Sequence, residues 1–261
     1  ERLIDTKVEA AAPVGNEAEQ GLILHLDAND VDSYDGDGDV WYDISEYDVT
    51  IPLSDNADDL ELHLNASDST SYGGSGSTWT DIAGNYDGTI SGAVFDIDNG
   101  GYFDFNGVSD KVDFTGRPIT ATSSVTIETW VKFEAGGGNY PYVAMIGEGN
   151  NVAGSTLSIS RFYGTNNFYS YVGTQTVDTG ISLSNDTWYH LVVTQSGTSL
   201  KQYIDGELVK TATITSNNFA DNFRLGYFYD TAQQQEANFF SGKIGAVRVY
   251  SKALSASDIG Q

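Results

Sequence analysis

Two adjoining stretches near the C-terminal end constrain this chain more than any other feature. Trp188-Tyr189-His190-Leu191-Val192-Val193-Thr194 is rich in aromatic and β-branched residues and alternates as a half-buried strand should. Leu200-Lys201-Gln202-Tyr203-Ile204, then Asp205-Gly206, then Glu207-Leu208-Val209 reads as strand, turn, strand, because Asp-Gly takes the left-handed conformations of a two-residue hairpin turn. A hairpin with one apolar face must bury that face against a second layer, so the chain has to build a sheet with something packed on it.

The same pattern recurs along the chain. Candidate strands cover residues 88–95, 101–105, 111–114, 124–133, 142–147, 156–162, 168–172, 175–179, 188–194, 202–204, 207–213, 223–228 and 242–250, with turn residues at short intervals. Along 124–133, Val125, Ile127, Thr129, Val131 and Phe133 share one face, and Thr126, Glu128, Trp130 and Lys132 share the other. The one clear helix start is Ser255-Ala256-Ser257-Asp258, which resembles a capping box. With 29 Gly, 16 Tyr and 12 Phe in 261 residues, the composition suits many strands joined by polar turns. The absence of Cys rules out disulfides and thiolate chemistry, and a core of this size needs no staples.

The formal net charge is −25, from 37 acidic and 12 basic side chains. Such a field repels phosphate backbones, so nucleic acid is not an expected partner, whereas salty surroundings or divalent cations suit it. No run is long and apolar enough for a membrane span. The sequence starts at Glu1 with no signal peptide, which leads us to expect a processed product or an excised fragment.

Residues 1–20 have no clear period and read as an N-terminal arm or linker. Residues 21–57 form a duplicated strand-loop-strand unit. The run 22–44 returns as 60–82, with 13 of 23 positions identical. Leu24, His25, Leu26, Tyr34, Trp41, Asp43 and Ile44 match Leu62, His63, Leu64, Tyr72, Trp79, Asp81 and Ile82. Two copies are too few for a solenoid. The second copy runs on into a complete β domain over 58–261, while the first stops near Leu53. The first is expected to cover a sheet edge, its own or a neighbour's, or to be a relic of a truncated domain.

The motifs of residues 60–261 carry a family resemblance. Leu62 to Asp68, Trp79 to Asn85, Tyr102-Phe103-Asp104-Phe105-Asn106-Gly107, Val125 to Val131, the Tyr203-Ile204-Asp205-Gly206 hairpin and Phe240 to Tyr250 stand in the order of a laminin G-like domain. The chain thus resembles the concanavalin A-like lectin/glucanase superfamily, in the form found in bacterial and phage surface proteins. The resemblance implies an all-β, two-sheet antiparallel jelly-roll sandwich, often with calcium, that binds carbohydrate or protein. The turn after Gly107 has Ser109 and Lys111 where relatives are often richer in Asp, which sets any metal site borrowed from that turn aside.

Chemistry can be weighed residue by residue. Glycosidases need two carboxyls about 5–9 Å apart. Glu128 has Trp130 and Lys132 as same-face neighbours and no clustered carboxyl partner, so no catalytic pair is expected. His25, His63 and His190 lie in strand patterns and read as structural, and no Gly-x-Ser-x-Gly elbow is present. Asp35, Asp37, Asp39, Asp43 and Glu46 fall at positions 1, 3, 5, 9 and 12 of a calcium loop. Val40 holds the sixth place, where Gly normally turns the chain, and the second copy replaces three of the acids by Gly73, Ser75 and Ser77. Calcium at Asp35, Asp37, Asp39 and Asp43 competes with a solvated acidic turn. Sugar binding needs aromatic planes beside hydroxyls and carboxylates. Tyr140, Tyr142, Tyr163, Tyr169, Tyr227 and Tyr229 are the candidate carbohydrate-binding residues, with Tyr140, Tyr163, Tyr169 and Tyr229 expected to expose their rings.

These readings combine into a non-catalytic module that binds a polysaccharide or cell-surface glycan in a secreted adhesin or a virion surface protein. The alternative is a structural subunit of a capsid or filament that self-associates through residues 1–57.

Overall fold

The computed structural model describes residues 59–84, 86–97, 100–116, 118–119, 124–136, 141–147, 156–162, 164–215, 222–230 and 233–259. The arm, the first repeat copy with Asp35, Asp37, Asp39 and Asp43, and the two tyrosines Tyr140 and Tyr163 lie outside the described residues. All described residues fall within one unit, Leu53–Gln261.

The strands in chain order are β1 (Leu60–Asn65), β2 (Thr78–Trp79), β3 (Gly88–Ser91), β4 (Val94–Asp96), β5 (Tyr102–Asn106) and β6 (Lys111–Phe114). Next come β7 (Ser124–Phe133), β8 (Tyr142–Ile146), β9 (Leu157–Arg161), β10 (Asn167–Val172), β11 (Gln175–Ser182) and β12 (Trp188–Ser196). Last are β13 (Ser199–Ile204), β14 (Glu207–Thr213), β15 (Phe223–Leu225), β16 (Phe228–Asp230), β17 (Gln235–Ala237) and β18 (Ser241–Tyr250), followed by the one-turn helix α1 (Ala256–Ile259).

They form a two-sheet antiparallel jelly-roll sandwich. The first sheet runs β14-β13-β12-β7-β18-β5-β4, the second β11-β10-β9-β8-β15-β6-β3-β2, and β16 and β17 make a separate hairpin. Strand β18 has two neighbours on one side: β5 pairs with Ser241 to Ile244, and β1 with Ala246 to Tyr250. The alternation along β7 works as the sequence implies. Val125, Ile127, Val131 and Phe133 are fully buried in the core between the sheets. Leu157, Ile159, Phe168, Val172, Phe223 and Leu225 meet them from the second sheet.

The duplicated motif shows its purpose in its second copy. Leu62, Leu64 and Trp79 are fully buried, and Trp79 packs on Phe103 with ring centroids 4.5 Å apart. The buried carboxylate of Asp81 accepts the backbone N–H groups of His63 (2.7 Å), Ala83 (3.0 Å) and Tyr86 (3.1 Å). It thereby pins β1 to the turn between β2 and β3. A charged acceptor shared by three amides is worth more than neutral hydrogen bonds, and its loss leaves those donors unpaired.

Two candidate strands are broken, each by a glycine. Residues 88–95 read as one strand but are β3 in the second sheet and β4 in the first. Between them Gly92 has φ +86°, and a Cβ there would lie 2.1 Å from the Asp110 carboxylate. Residues 223–228 likewise divide into β15 and β16 at Gly226, whose φ is +81° and where a Cβ would lie 2.7 Å from the Phe105 ring. Both turns need a residue without a side chain that is free to take positive φ.

Replacing Asp81 by Ala should destabilise the fold by about 3 kcal/mol, seen as a lower urea midpoint. Asp68→Ala, at an exposed turn, should cost under about 1 kcal/mol in the same assay.

Candidate functional site

The outer face of the second sheet gathers most of the described candidate tyrosines. On β9, core-facing Leu157 and Ile159 alternate with Ser158 and Ser160, which look outward. These serines secure the next strand: Ser160 Oγ donates to the Tyr169 carbonyl (3.0 Å), and Ser158 Oγ accepts the Tyr171 N–H (2.9 Å). Register places Tyr169 and Tyr142 on either side of Ser160, while Met145, Arg224 and Asp113 follow one another across β8, β15 and β6.

The hairpin of β16 and β17 packs on this face. Phe228 stacks on Tyr142 with centroids 4.9 Å apart, and Met145, Tyr171 and Ala237 join the same apolar cluster. Its far strand is tied down by charge, since Lys111 bridges Asp113 (2.9 Å) and Glu236. Burial lowers the Lys111 ammonium, but those two carboxylates outweigh it and hold the group above its ordinary value. Tyr227 donates to Asp113, and burial first, then that bond, pushes its phenol far up.

Exposure decides which rings are available. Tyr142, Tyr169 and Tyr227 are 4%, 6% and 5% exposed, so none presents a free ring, contrary to the expectation for Tyr169. The physical reason is cover: Phe228 lies on Tyr142, Phe162 on Tyr169 at 5.6 Å, and Phe239 stacks with Tyr227 at 6.2 Å. Tyr229, also expected to expose its ring, is half-buried, with the Arg224 guanidinium 5.6 Å from its ring centroid. Tyr171, not singled out by sequence, is the second half-open tyrosine on this face, and Phe162 is half-open as well. Next to Tyr171 on β11, Thr176 and Asp178 are exposed, and Asp178 accepts from the Asn167 amide at 3.0 Å. Arg224 itself is buried and donates to the Gly147 carbonyl, so the arrangement offers flat apolar rings and, beside Tyr171, hydroxyl, amide and carboxylate groups, which is what a polyhydroxylated ligand needs.

Of the residues weighed for catalysis, Glu128, His63 and His190 lie on the other sheet, and His25 lies outside the described residues. Glu128 is buried, 2.8 Å from His190 Nε2 and 3.7 Å from Arg248. The His190 ring stacks on Trp130 at 3.8 Å. This ion-paired cluster was not legible in sequence, because it depends on the register between β7, β12 and β18. His63, beside Arg248 in that register, is 7% exposed, and its Nε2 has no hydrogen-bond partner. Burial, then the Arg248 charge, pushes its pKa down to about 4.

For calcium, no group of three His, Asp or Glu residues is poised for a metal among the described residues. The turn after Gly107 is closed by its own side chains. Asp110 accepts from the Asn106 N–H (2.9 Å) and Nδ2 (2.7 Å), so its carboxylate is committed.

A family model described as the concanavalin A-like lectin/glucanases superfamily, of the laminin G-like type, matches residues 106–260. The chain belongs to that superfamily. No curated protein matches it. Among solved structures it is similar to domain 4 of the extracellular arabinanase AbnA from Geobacillus stearothermophilus, in complex with arabinotriose. Identity is 19%, coverage is 77% of this chain and 97% of that one, and the TM-score is 0.60. It is also similar to Trypanosoma rangeli sialidase in complex with sialic acid (17% identity, 77% and 32% coverage, TM-score 0.57). A third is the botulinum neurotoxin type C structure described for its interaction with two ganglioside molecules (18% identity, 80% and 51% coverage, TM-score 0.55). The chain therefore spans about a third of the sialidase and half of the toxin chain. At these identities the likeness is one of fold.

The His63 shift has a definite sign. Its folded pKa lies below the unfolded value of 6.5, so folding excludes a proton that the unfolded chain takes up. Stability should be insensitive to this group above pH 6.5 and fall between pH 6.5 and about 4, by up to about 3 kcal/mol. Urea midpoints at pH 7 and pH 5 should separate less in His63→Gln than in the parent.

Proposed function

We propose that this chain is a non-catalytic carbohydrate-binding module, recognising a polysaccharide or cell-surface glycan as part of a secreted adhesin or virion surface protein. The observation that carries the reading is the half-open ring of Tyr171 beside Thr176, Asp178 and Asn167 on the outer face of the second sheet, with a further half-open ring, Tyr229, on the hairpin that packs on that face. The neighbours add support, since one is an arabinanase domain in complex with arabinotriose and another a toxin described for its interaction with gangliosides. The non-catalytic reading is supported by Glu128, whose carboxylate is buried against His190 and Arg248 rather than free to meet a glycosidic oxygen. An extracellular or surface location follows from the same proposal.

Calcium belongs to the proposal through Asp35, Asp37, Asp39 and Asp43. Asp81, the sequence counterpart of Asp43, spends its carboxylate on backbone amides, which points to the first three acids as the core of such a site. A structural role for residues 1–57 in self-association is the second reading. It is favoured by one observation: the first repeat copy keeps the residues, Leu24, Leu26, Trp41 and Asp43, whose counterparts hold the second copy in place.

A glycan array probed with calcium and again with chelator should give binding in at least one condition. Silence in both, together with light scattering that shows oligomers, would replace the lectin reading by the structural one. For a glycan that binds, Tyr171→Ala and Tyr229→Ala should each weaken affinity about tenfold. Asp37→Ala with Asp39→Ala should abolish any calcium heat in calorimetry; an unchanged heat would refute the acidic-loop site.

A further inference from the structure

The opposite face of the sandwich carries a second arrangement of aromatic and polar groups that sequence reading passed over. Four strands of the first sheet line up residues directly across from one another. Register pairs Trp188 with Lys132, Lys132 with Lys243, and Lys243 with Asp104, so the row Trp188, Lys132, Lys243, Asp104 crosses β12, β7, β18 and β5. In the neighbouring row Tyr102 and Trp130 stand on the same outer face, because side chains alternate.

The indole of Trp188 lies along the sheet rather than standing on it. A Cβ built on Gly245, two strands away, would meet the Trp188 Cη2 atom at 3.7 Å, so the ring reaches over bare backbone. The Lys132 ammonium sits 5.6 Å from the Trp188 ring centroid, and Tyr102 meets the indole edge-on at 6.0 Å. Trp188 and Trp130 are only half-buried. Of the three described tryptophans, Trp79 alone is in the core. A large ring held by a glycine on one side and half-open to water is a platform for the C–H face of a sugar.

The polar groups beside it are unevenly engaged. Lys243 contacts Glu134 (3.5 Å) and the Tyr102 hydroxyl (3.4 Å), and Tyr102 donates to Asp96 (2.9 Å). Asp104 has no hydrogen-bond or ion-pair partner among the described residues, although it is half-buried. Burial first, and then the Glu134 charge, raises its carboxyl above the ordinary range. A half-buried acceptor without a donor is a place for a ligand hydroxyl. Three carboxylates, Asp96, Asp104 and Glu134, stand against two ammonium groups, Lys132 and Lys243, so the patch shares the sign of a molecule whose net charge of −25 disfavours acidic polymers.

We infer that the outer face of the first sheet holds a second carbohydrate-binding platform, in which Trp188 stacks on a ring of a neutral glycan and Asp104 accepts its hydroxyls. This inference rests on the carbohydrate-binding reading above and extends it to a module that binds on two opposite faces.

The four indole N–H signals in two-dimensional NMR of the full chain offer a direct test. Trp188→Phe assigns its signal. Arabinotriose, cellotriose and maltotriose serve as neutral probes and sialyllactose as the acidic one. At least one neutral probe should shift the Trp188 indole while leaving the buried Trp79 signal in place. That shift should persist in Tyr229→Ala. It should require about tenfold more sugar in Asp104→Asn, which keeps shape and removes charge. Sugar binding that is abolished by Tyr229→Ala while the Trp188 signal never moves would overturn the second platform and leave the first. A Trp188 response to sialyllactose alone would overturn the neutral class. No response of any indole, with a silent array, would remove both readings.

Discussion

The whole molecule depends on β7, β12 and β18 turning one side each into the core between the sheets, while the other side carries polar groups and a smaller apolar cluster of Val192 and Tyr250 with Tyr203, Leu254 and Ile259. Val125, Ile127, Val131 and Phe133 fill the space between the sheets with Leu191, Val193, Ile244, Val247 and Val249. A one-residue slip in any of these pairings would turn that apolar set outward and bring Glu128, His190 and Arg248 into the core. Burying those charges away from their partners would cost far more than any single apolar contact returns. The register of the central strands is therefore strongly enforced, and both outer faces inherit their side-chain order from it.

Much of this was legible in the sequence. The Asp205-Gly206 hairpin, the ten-residue strand β7, the closing strand β18 and the short helix lie where propensity and period place them. Strands 88–95 and 223–228 were misread as continuous because an isolated glycine inside a strand pattern does not announce whether it bends the chain. Gly92 and Gly226 do bend it, and the reasons are a carboxylate and a phenyl ring distant in sequence. The family motifs were recognisable for a physical reason as well: Trp79 and Asp81 are a core ring and a three-amide clasp, and few other residues can replace either.

The candidate sites were less legible. Alternation says that Tyr169 and Tyr171 share a face; it does not say which of them a distant segment will cover. Phe162 packs on one and leaves the other half-open. Tyr142 and Tyr227 were lost to the hairpin of β16 and β17, whose second strand no propensity marked. The platform at Trp188 was hidden differently. The half-buried strand pattern of 188–194 does not say which way Trp188 faces, and only the bulge at Gly245 and the register with Lys132 show that its ring lies on the outside.

The position of β18 has a consequence for how this domain is made. The last strand of the sandwich is inserted between β7 and β5, and it also carries β1, from the other end of the domain. No ribosome-bound intermediate can close the first sheet until residues 241–250 have left the exit tunnel. Until then β7 and β5 lack the neighbour that separates them, and β1 has no strand to pair with. The sandwich therefore closes only once its final strand has emerged, and its assembly is dominated by contacts between residues far apart in sequence. The strong negative charge has a use at that stage: it keeps neighbouring nascent chains apart while the final strand is still missing.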